Sequence, residues 1–333
     1  MTMVLDEVVG RETRHVLQTL PAPAGDASSA DRACALCGRR GARVSRPALG
    51  HRRRGARTCA SRTRARDRRT GADAHPHVEP LLSPAAGAAG GAAGEPVGLP
   101  RAFFCNSGTE AVEACLKFAR RYWFTKGEPR AEVIALEESF HGRTFGSLSV
   151  TSDEHYRAPF EPLLPGVEVR AASTSRRALA AAVSRSTAAI IAEPVQGEGG
   201  VRPLTPAFAA AINEACARTG ALFIADEVQS GLGRTGYPFY FAALGLKPHL
   251  VSVGKALGGG VPIGAALVSQ EVADTISFGD HGSTYGGNLL ACRAGALRRS
   301  TSWSAAACWR TSDASASHFE QRLEGDRGRS TRW

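Results

Sequence analysis

The sequence predicts an α/β protein with a mostly parallel sheet covered by helices on both faces. Two observations carry this. Five short apolar runs between residues 99 and 296 are each bounded by Gly, Pro or charge, as buried strands are. Helical stripes alternate with them, and alternating βα order closes on a parallel sheet. Composition agrees: 333 residues at 43% hydrophobic and 22% charged suffice for one large α/β domain or two ordinary ones, and exclude wholesale disorder.

The elements follow in order. Ala102-Phe-Phe-Cys105 is apolar and runs into the small polar turn Asn106–Thr109. A helical stripe follows it, through Val112, Cys115, Leu116, Ala119, Tyr122 and Trp123. The five runs themselves are Ala131–Leu136, Ala188–Ala192, Ala221–Ala225, Leu250–Val253 and Ala265–Val268. A helix is marked between Thr205 and Gly220: Thr205 suits the N-cap, Pro206 the first helical position and Gly220 the stop. Phe208, Ala211, Ile212, Ala215 and Cys216 form its apolar stripe.

The flanks read differently. Residues 1–18 resemble a true start, without the apolar core of a secretory leader. Residues 19–98 are rich in Arg, Ala and Gly and show no period, so disorder is expected there, and residues 297–333 are similarly irregular. Residues 31–70 hold fourteen Arg and two Asp, a local charge of +12 against +10 for the whole chain. The rest is near neutral and offers no electrostatic reason to bind nucleic acid. With 37 Arg and 4 Lys overall, the basic stretch reads either as out-of-frame translation of GC-rich DNA or as a basic arm. Cys34-x-x-Cys37, with Cys59, His51, His75 and His77, lacks a second close ligand pair, and no metal is expected. No apolar run approaches the ~20 residues of a membrane helix. Eight cysteines are too few for a disulfide scaffold, and a cytoplasmic location is expected.

Three constellations carry chemistry. Ser107-Gly108-Thr109 opens a helix after a strand, where free N–H groups and the helix dipole suit a phosphate; a plain N-cap fits as well. Asp226 ends an apolar strand at the edge where α/β sheets bind ligands; a helix-capping Asp fits as well. Lys255 stands alone among the four lysines at a strand end inside a glycine-rich turn, where a pocketed lysine can lose its proton and form a Schiff base; a surface lysine is the plain alternative. Together they supply what pyridoxal phosphate needs: a phosphate cradle, an amine, and an acid facing the pyridine nitrogen.

Six ordered blocks extend this reading. They are Phe103-Phe-Cys-Asn-Ser-Gly-Thr-Glu-Ala, Ser139-Phe-His-Gly-Arg-Thr, Ala192-Glu-Pro-Val-Gln-Gly-Glu-Gly-Gly, Phe223-Ile-Ala-Asp-Glu-Val-Gln-Ser-Gly-Leu-Gly-Arg-Thr-Gly, Gly254-Lys-Ala-Leu-Gly-Gly-Gly-Val-Pro-Ile-Gly-Ala and His281-Gly-Ser-Thr-Tyr-Gly-Gly-Asn. They resemble the class III (subgroup II) pyridoxal-phosphate aminotransferases, closest to the acetylornithine branch, over residues 99–296. The resemblance implies a fold-type-I large domain with an incomplete small domain. It implies transfer of the δ-amino group of N2-acetylornithine to 2-oxoglutarate, of arginine-biosynthesis type. Ornithine, a carrier-bound lysine precursor, 4-aminobutyrate and succinyl-diaminopimelate are other donors, and a pseudoenzyme with a basic arm is the non-catalytic rival.

By the same resemblance Ser107, Gly108 and Thr109 hold the phosphate and Phe140 stacks on the ring beside His141. Asp226 pairs with the pyridine nitrogen within a cofactor-contacting run that continues through Glu227 and Val228 to Gln229 at the ring hydroxyl. Lys255 bonds the cofactor. Thr284, with Ser283 beside it, reaches the phosphate of a neighbouring subunit, which implies a homodimer with shared sites. Arg143 binds a substrate carboxylate, and Glu198 masks and frees an arginine between half-reactions. By residue type alone, Phe140 reads as core, His141 as a turn histidine, Arg143 as a surface ion pair, and Glu193 and Glu198 as solvated loop acids. The family's N-terminal segment and C-terminal small domain find no match in residues 19–98 and 297–333, so an incomplete substrate site and weak or no activity are expected.

Overall fold

The computed structural model of the chain describes residues 98–171, 175–292, 294 and 295, with Val16 and the short pieces 28–29, 36–38 and 43–44. The rest of the N-terminal start, most of the Arg-rich stretch with its Cys–His set, and the tail after residue 296 lie outside the described residues. Strands β1 (Ser28–Ser29), β2 (Leu36–Gly38) and β3 (Arg43–Val44) pair antiparallel in that order. Pieces of two or three residues are too short to show a period, so no strand was legible there.

The main sheet has seven strands: β4 (Arg101–Cys105), β5 (Glu132–Leu136), β6 (Val167–Ala171), β7 (Thr187–Ala192), β10 (Leu222–Asp226), β11 (Leu250–Val253) and β12 (Gly264–Val268). Their order is β4-β12-β11-β10-β7-β5-β6. The pairs from β11 through β10, β7 and β5 to β6 are parallel, as expected. β12 runs against both β11 and β4. Residues 254–263 join β11 to β12 with a single short turn and no crossover helix, a connection that serves antiparallel neighbours. A hairpin of β8 (Val195–Gln196) and β9 (Arg202–Pro203) stands after β7.

Helices α1 (Gly108–Thr125), α2 (Phe145–Ser149), α3 (Glu154–Arg157), α4 (Arg176–Ala182), α5 (Pro206–Thr219), α6 (Tyr240–Ala243) and α7 (Gln270–Ala273) fill the connections. Successive strand residues point to opposite faces, so a strand apolar throughout feeds two cores. Ile134, Phe223, Val251 and Val253 pack with Phe208 and Ile212 of α5. Val133, Leu222 and Ile224 pack with Val112, Cys115, Leu116 and Phe118 of α1. The α5 ends form as the sequence signals: Thr205 Oγ1 accepts from the Phe208 N–H at 3.2 Å, and Gly220 closes the helix at φ +79°.

Two antiparallel steps separate β4 from β11, so β4 points the same way as the parallel strands. The carboxyl ends at Cys105, Leu136, Ala192, Asp226 and Val253 therefore share one sheet edge.

Candidate active site

The chemistry-bearing residues lie just beyond that edge. Asp226 is buried, and its carboxylate accepts from three groups: Ser252 Oγ at 2.9 Å, the Val228 N–H at 3.1 Å and His141 Nδ1 at 2.7 Å. A carboxylate offers roughly four acceptor positions, so one remains for a further N–H donor. His141 is buried too. Burial alone pulls its basicity down, but the bond to Asp226 and the charges of Asp226 and Glu193 outweigh that and raise it above the ordinary histidine value. Its Nε2 is buried without a hydrogen-bond partner among the described residues.

The turn Ser107–Thr109 forms as its chemistry dictates. Ser107 is the N-cap of α1, its Oγ accepting from the Glu110 N–H at 3.3 Å. The first N–H groups of the helix have no intrahelical acceptor. Gly108 is required by contact: a Cβ there would fall 2.6 Å from Val228 Cγ1. A Cβ on Gly254 would lie 3.1 Å from the Gly108 Cα, so the turn carrying Lys255 is pressed against the cradle. Thr109 Oγ1 bonds Ser147 Oγ at 2.6 Å and Thr144 Oγ1 at 3.0 Å, tying this turn to the start of α2.

Lys255 opens a one-turn helix at φ +38°, the left-handed region a non-glycine residue enters at a cost of roughly 1–3 kcal/mol. Its side chain is exposed, so the enclosing pocket expected from the sequence is not formed around it by the described residues. The half-buried Phe140 ring meets Tyr156 edge-on at 6.3 Å, and the Arg143 guanidinium lies 3.7 Å over Tyr156 and 5.5 Å from Phe140. Arg143 is thus a cation on an aromatic pair, not the surface ion pair its residue type suggests. The Gln229 amide lies against Gly197, where a Cβ would sit 1.1 Å from its Oε1. Glu227 is buried and accepts from the Phe241 N–H at 2.7 Å and from Ser230 Oγ. Burial pushes its carboxyl up to about 7, against the opposing pull of those bonds.

Some residues stand apart from this cluster. Glu198 and Thr284 are exposed. Ser283 Oγ accepts from Asn106 Nδ2 at 3.1 Å, which brings its segment to the cradle of the same chain. Arg121 holds Asp280 at 2.7 Å and Lys117 meets His281 Nδ1 at 2.9 Å, so α1 anchors that segment further. Sequence reasoning missed Ser252 and misread Glu193, which is buried at 4% exposure and is no solvated loop acid. Sheet register sets Ser252 opposite Asp226 on the next strand, a pairing that no local sequence pattern signals.

Residues 85–323, well over half the chain, match the family described as Aminotransferase class-III. The chain belongs to the class-III aminotransferase family. The acetylornithine aminotransferase of Aquifex aeolicus is 47% identical over 197 residues, 59% of this chain and 52% of that protein. Its counterpart in Archaeoglobus fulgidus is 50% identical over 197 residues, 59% of this chain and 51% of that one. The chain spans about half the length of these curated relatives. Among solved structures, an (S)-enantioselective omega-transaminase from Thermomicrobium roseum superposes with a TM-score of 0.67 at 29% identity, over 99% of this chain and 81% of that one. The ornithine aminotransferase of Toxoplasma gondii superposes at 0.59 and 28%, over 90% and 71%, and a second structure of it shows partial occupancy of pyridoxal phosphate.

Pyridoxal phosphate is the cofactor this class-III membership implies, and the residues present fit it. Asp226 keeps one acceptor position, the start of α1 offers N–H donors at a contact only glycine permits, and the Lys255 turn packs on that same glycine. No helix among the described residues is long and apolar enough to cross a membrane, and no cluster there could hold a metal ion.

Proposed function

We propose that the chain holds pyridoxal phosphate and transfers the δ-amino group of N2-acetylornithine to 2-oxoglutarate, as a cytoplasmic enzyme of arginine-biosynthesis type. The observation that carries the reading is the buried Asp226, braced by Ser252 and His141 at the sheet edge where the Lys255 turn packs on Gly108. The choice of donor is supported by the names of the curated relatives. The ornithine aminotransferase likeness makes ornithine the second donor to try.

When bound, the cofactor acts as an electron sink for the charge left when the amino-bearing carbon loses a proton. The chain's own residues prepare that step. Ser107, Gly108 and Thr109 hold the phosphate with the positive end of α1. Asp226 keeps a proton on the pyridine nitrogen, and His141 fixes the carboxylate's orientation. Lys255 anchors the cofactor and then carries a proton at its Nζ. Phe140 would cover one face of the ring, Val228 lies against Gly108, and Gln229 would meet the ring hydroxyl. Glu227 ties α6 to the strand end. Arg143 takes a substrate carboxylate and Glu198 answers the second substrate. Thr284 and Ser283 complete the site of a second copy in a homodimer.

The test is glutamate formation from N2-acetylornithine or ornithine with 2-oxoglutarate, with cofactor absorbance followed alongside. Lys255→Ala should lower turnover by at least about 10²-fold. Turnover surviving that substitution, or a wild-type chain that binds no pyridoxal phosphate, would overturn the reading.

A further inference from the structure

We propose that Glu193 is a positioning residue of this site, clamping the backbone of Phe140 to the backbone of Gly197 so that the loop over the cofactor and the turn bearing Glu198 move as one piece. The clamp itself is geometry; its effect on cofactor binding rests on the function proposed above. Glu193 leaves the end of β7 and is 4% exposed. Its Oε2 accepts from the Phe140 N–H at 3.0 Å and its Oε1 from the Gly197 N–H at 3.3 Å. One bond fixes the residue whose ring Arg143 and Tyr156 flank. The other fixes the glycine against which the Gln229 amide rests. Both ends of the clamp therefore bear on residues assigned to the cofactor.

The chemistry explains why an acid stands here. A carboxylate presents two acceptor oxygens, whereas a glutamine amide presents one and turns an NH₂ toward the second N–H. The titratable groups facing Glu193 are His141 and Asp226. Burial raises its carboxyl to about 7, while the His141 charge and the two N–H bonds pull the other way. Protonation removes acceptor capacity from one oxygen, so the clamp loosens as pH falls through that range.

Amide proton resonances of Phe140 and Gly197 in the full chain test this. In the wild type both should shift together, with a common midpoint near pH 7. In Glu193→Gln that shared titration should vanish; a residual shift at Phe140 alone belongs to His141. Cofactor affinity should fall about tenfold in Glu193→Gln. In a Phe140→Leu background the same change should cost much less, since the effect passes through Phe140. Amides unmoved by Glu193→Gln, or affinity losses that simply add, would sink the proposal. Should Glu193→Gln fail to fold, the wild-type titration decides: separate midpoints at the two amides exclude a shared clamp. A wild type that binds no cofactor overturns the functional reading, while the amide titration still decides the clamp.

Discussion

Ser252 owes its place beside Asp226 to sheet register. β10 and β11 pair with Asp226 opposite Ser252, and the hydroxyl donates to Oδ1 at 2.9 Å with both groups buried. A hydrogen bond to a buried charge is worth about 1.5–3 kcal/mol, so Ser252→Ala should weaken cofactor binding by about tenfold or more. A cofactor titration that matches the wild type would show that His141 and the Val228 N–H suffice. Glu227 adds a pH effect of definite sign. Its carboxyl is raised from 4.5 to about 7 by burial, so between those values the folded chain holds a proton the unfolded chain has lost. Stability contributed by that proton falls as pH rises through the window, by up to about 3 kcal/mol. Urea midpoints at pH 5 and pH 8 should differ less in Glu227→Gln than in the wild type. Asp226, Lys255 and Ser107 were legible in the sequence because each stands in a local pattern of strand end and turn. Ser252 and Glu193 were not, because their partners lie 26 and 53 residues away and only the folded sheet brings them together.

Elements are joined at this edge by side chains that satisfy helix starts. Glu113, on α1, accepts at Oε1 from the Gly146 N–H at 2.9 Å, the Ser147 N–H at 3.1 Å and the Thr144 hydroxyl. It thereby caps α2, and a carboxylate at a helix N-terminus is favoured by the dipole as well. Glu113→Ala should cost about 2 kcal/mol in unfolding free energy, with the denaturant slope unchanged. A shift in midpoint below a few tenths of that would mean water replaces the cap. The strands and the α5 boundaries could be read from periodicity and from Thr205, Pro206 and Gly220. The direction of β12 could not. An apolar run such as Ala265–Val268 looks the same either way, and only the missing crossover helix betrays an antiparallel neighbour.

At the scale of the molecule, the proposed homodimer requires that a second chain complete each site. Ser283 bonds Asn106 of its own chain, yet Thr284 beside it is exposed, as is Tyr285 at 51%. Under the function proposed above, this exposed threonine serves the site of a second copy. Two variants, each expected to lose turnover, discriminate. In a mixed dimer of Lys255→Ala with Thr284→Ala, shared sites leave one site with Lys255 from one chain and Thr284 from the other, both intact. Random mixing then restores about a quarter of wild-type turnover, since half the dimers are mixed and each carries one good site. If Thr284 serves only its own chain, every site in the mixture keeps one lesion and turnover stays at the level of the separate variants. Capture through a different affinity tag on each variant establishes that mixed dimers formed, so an absence of restored activity in that sample refutes shared sites directly.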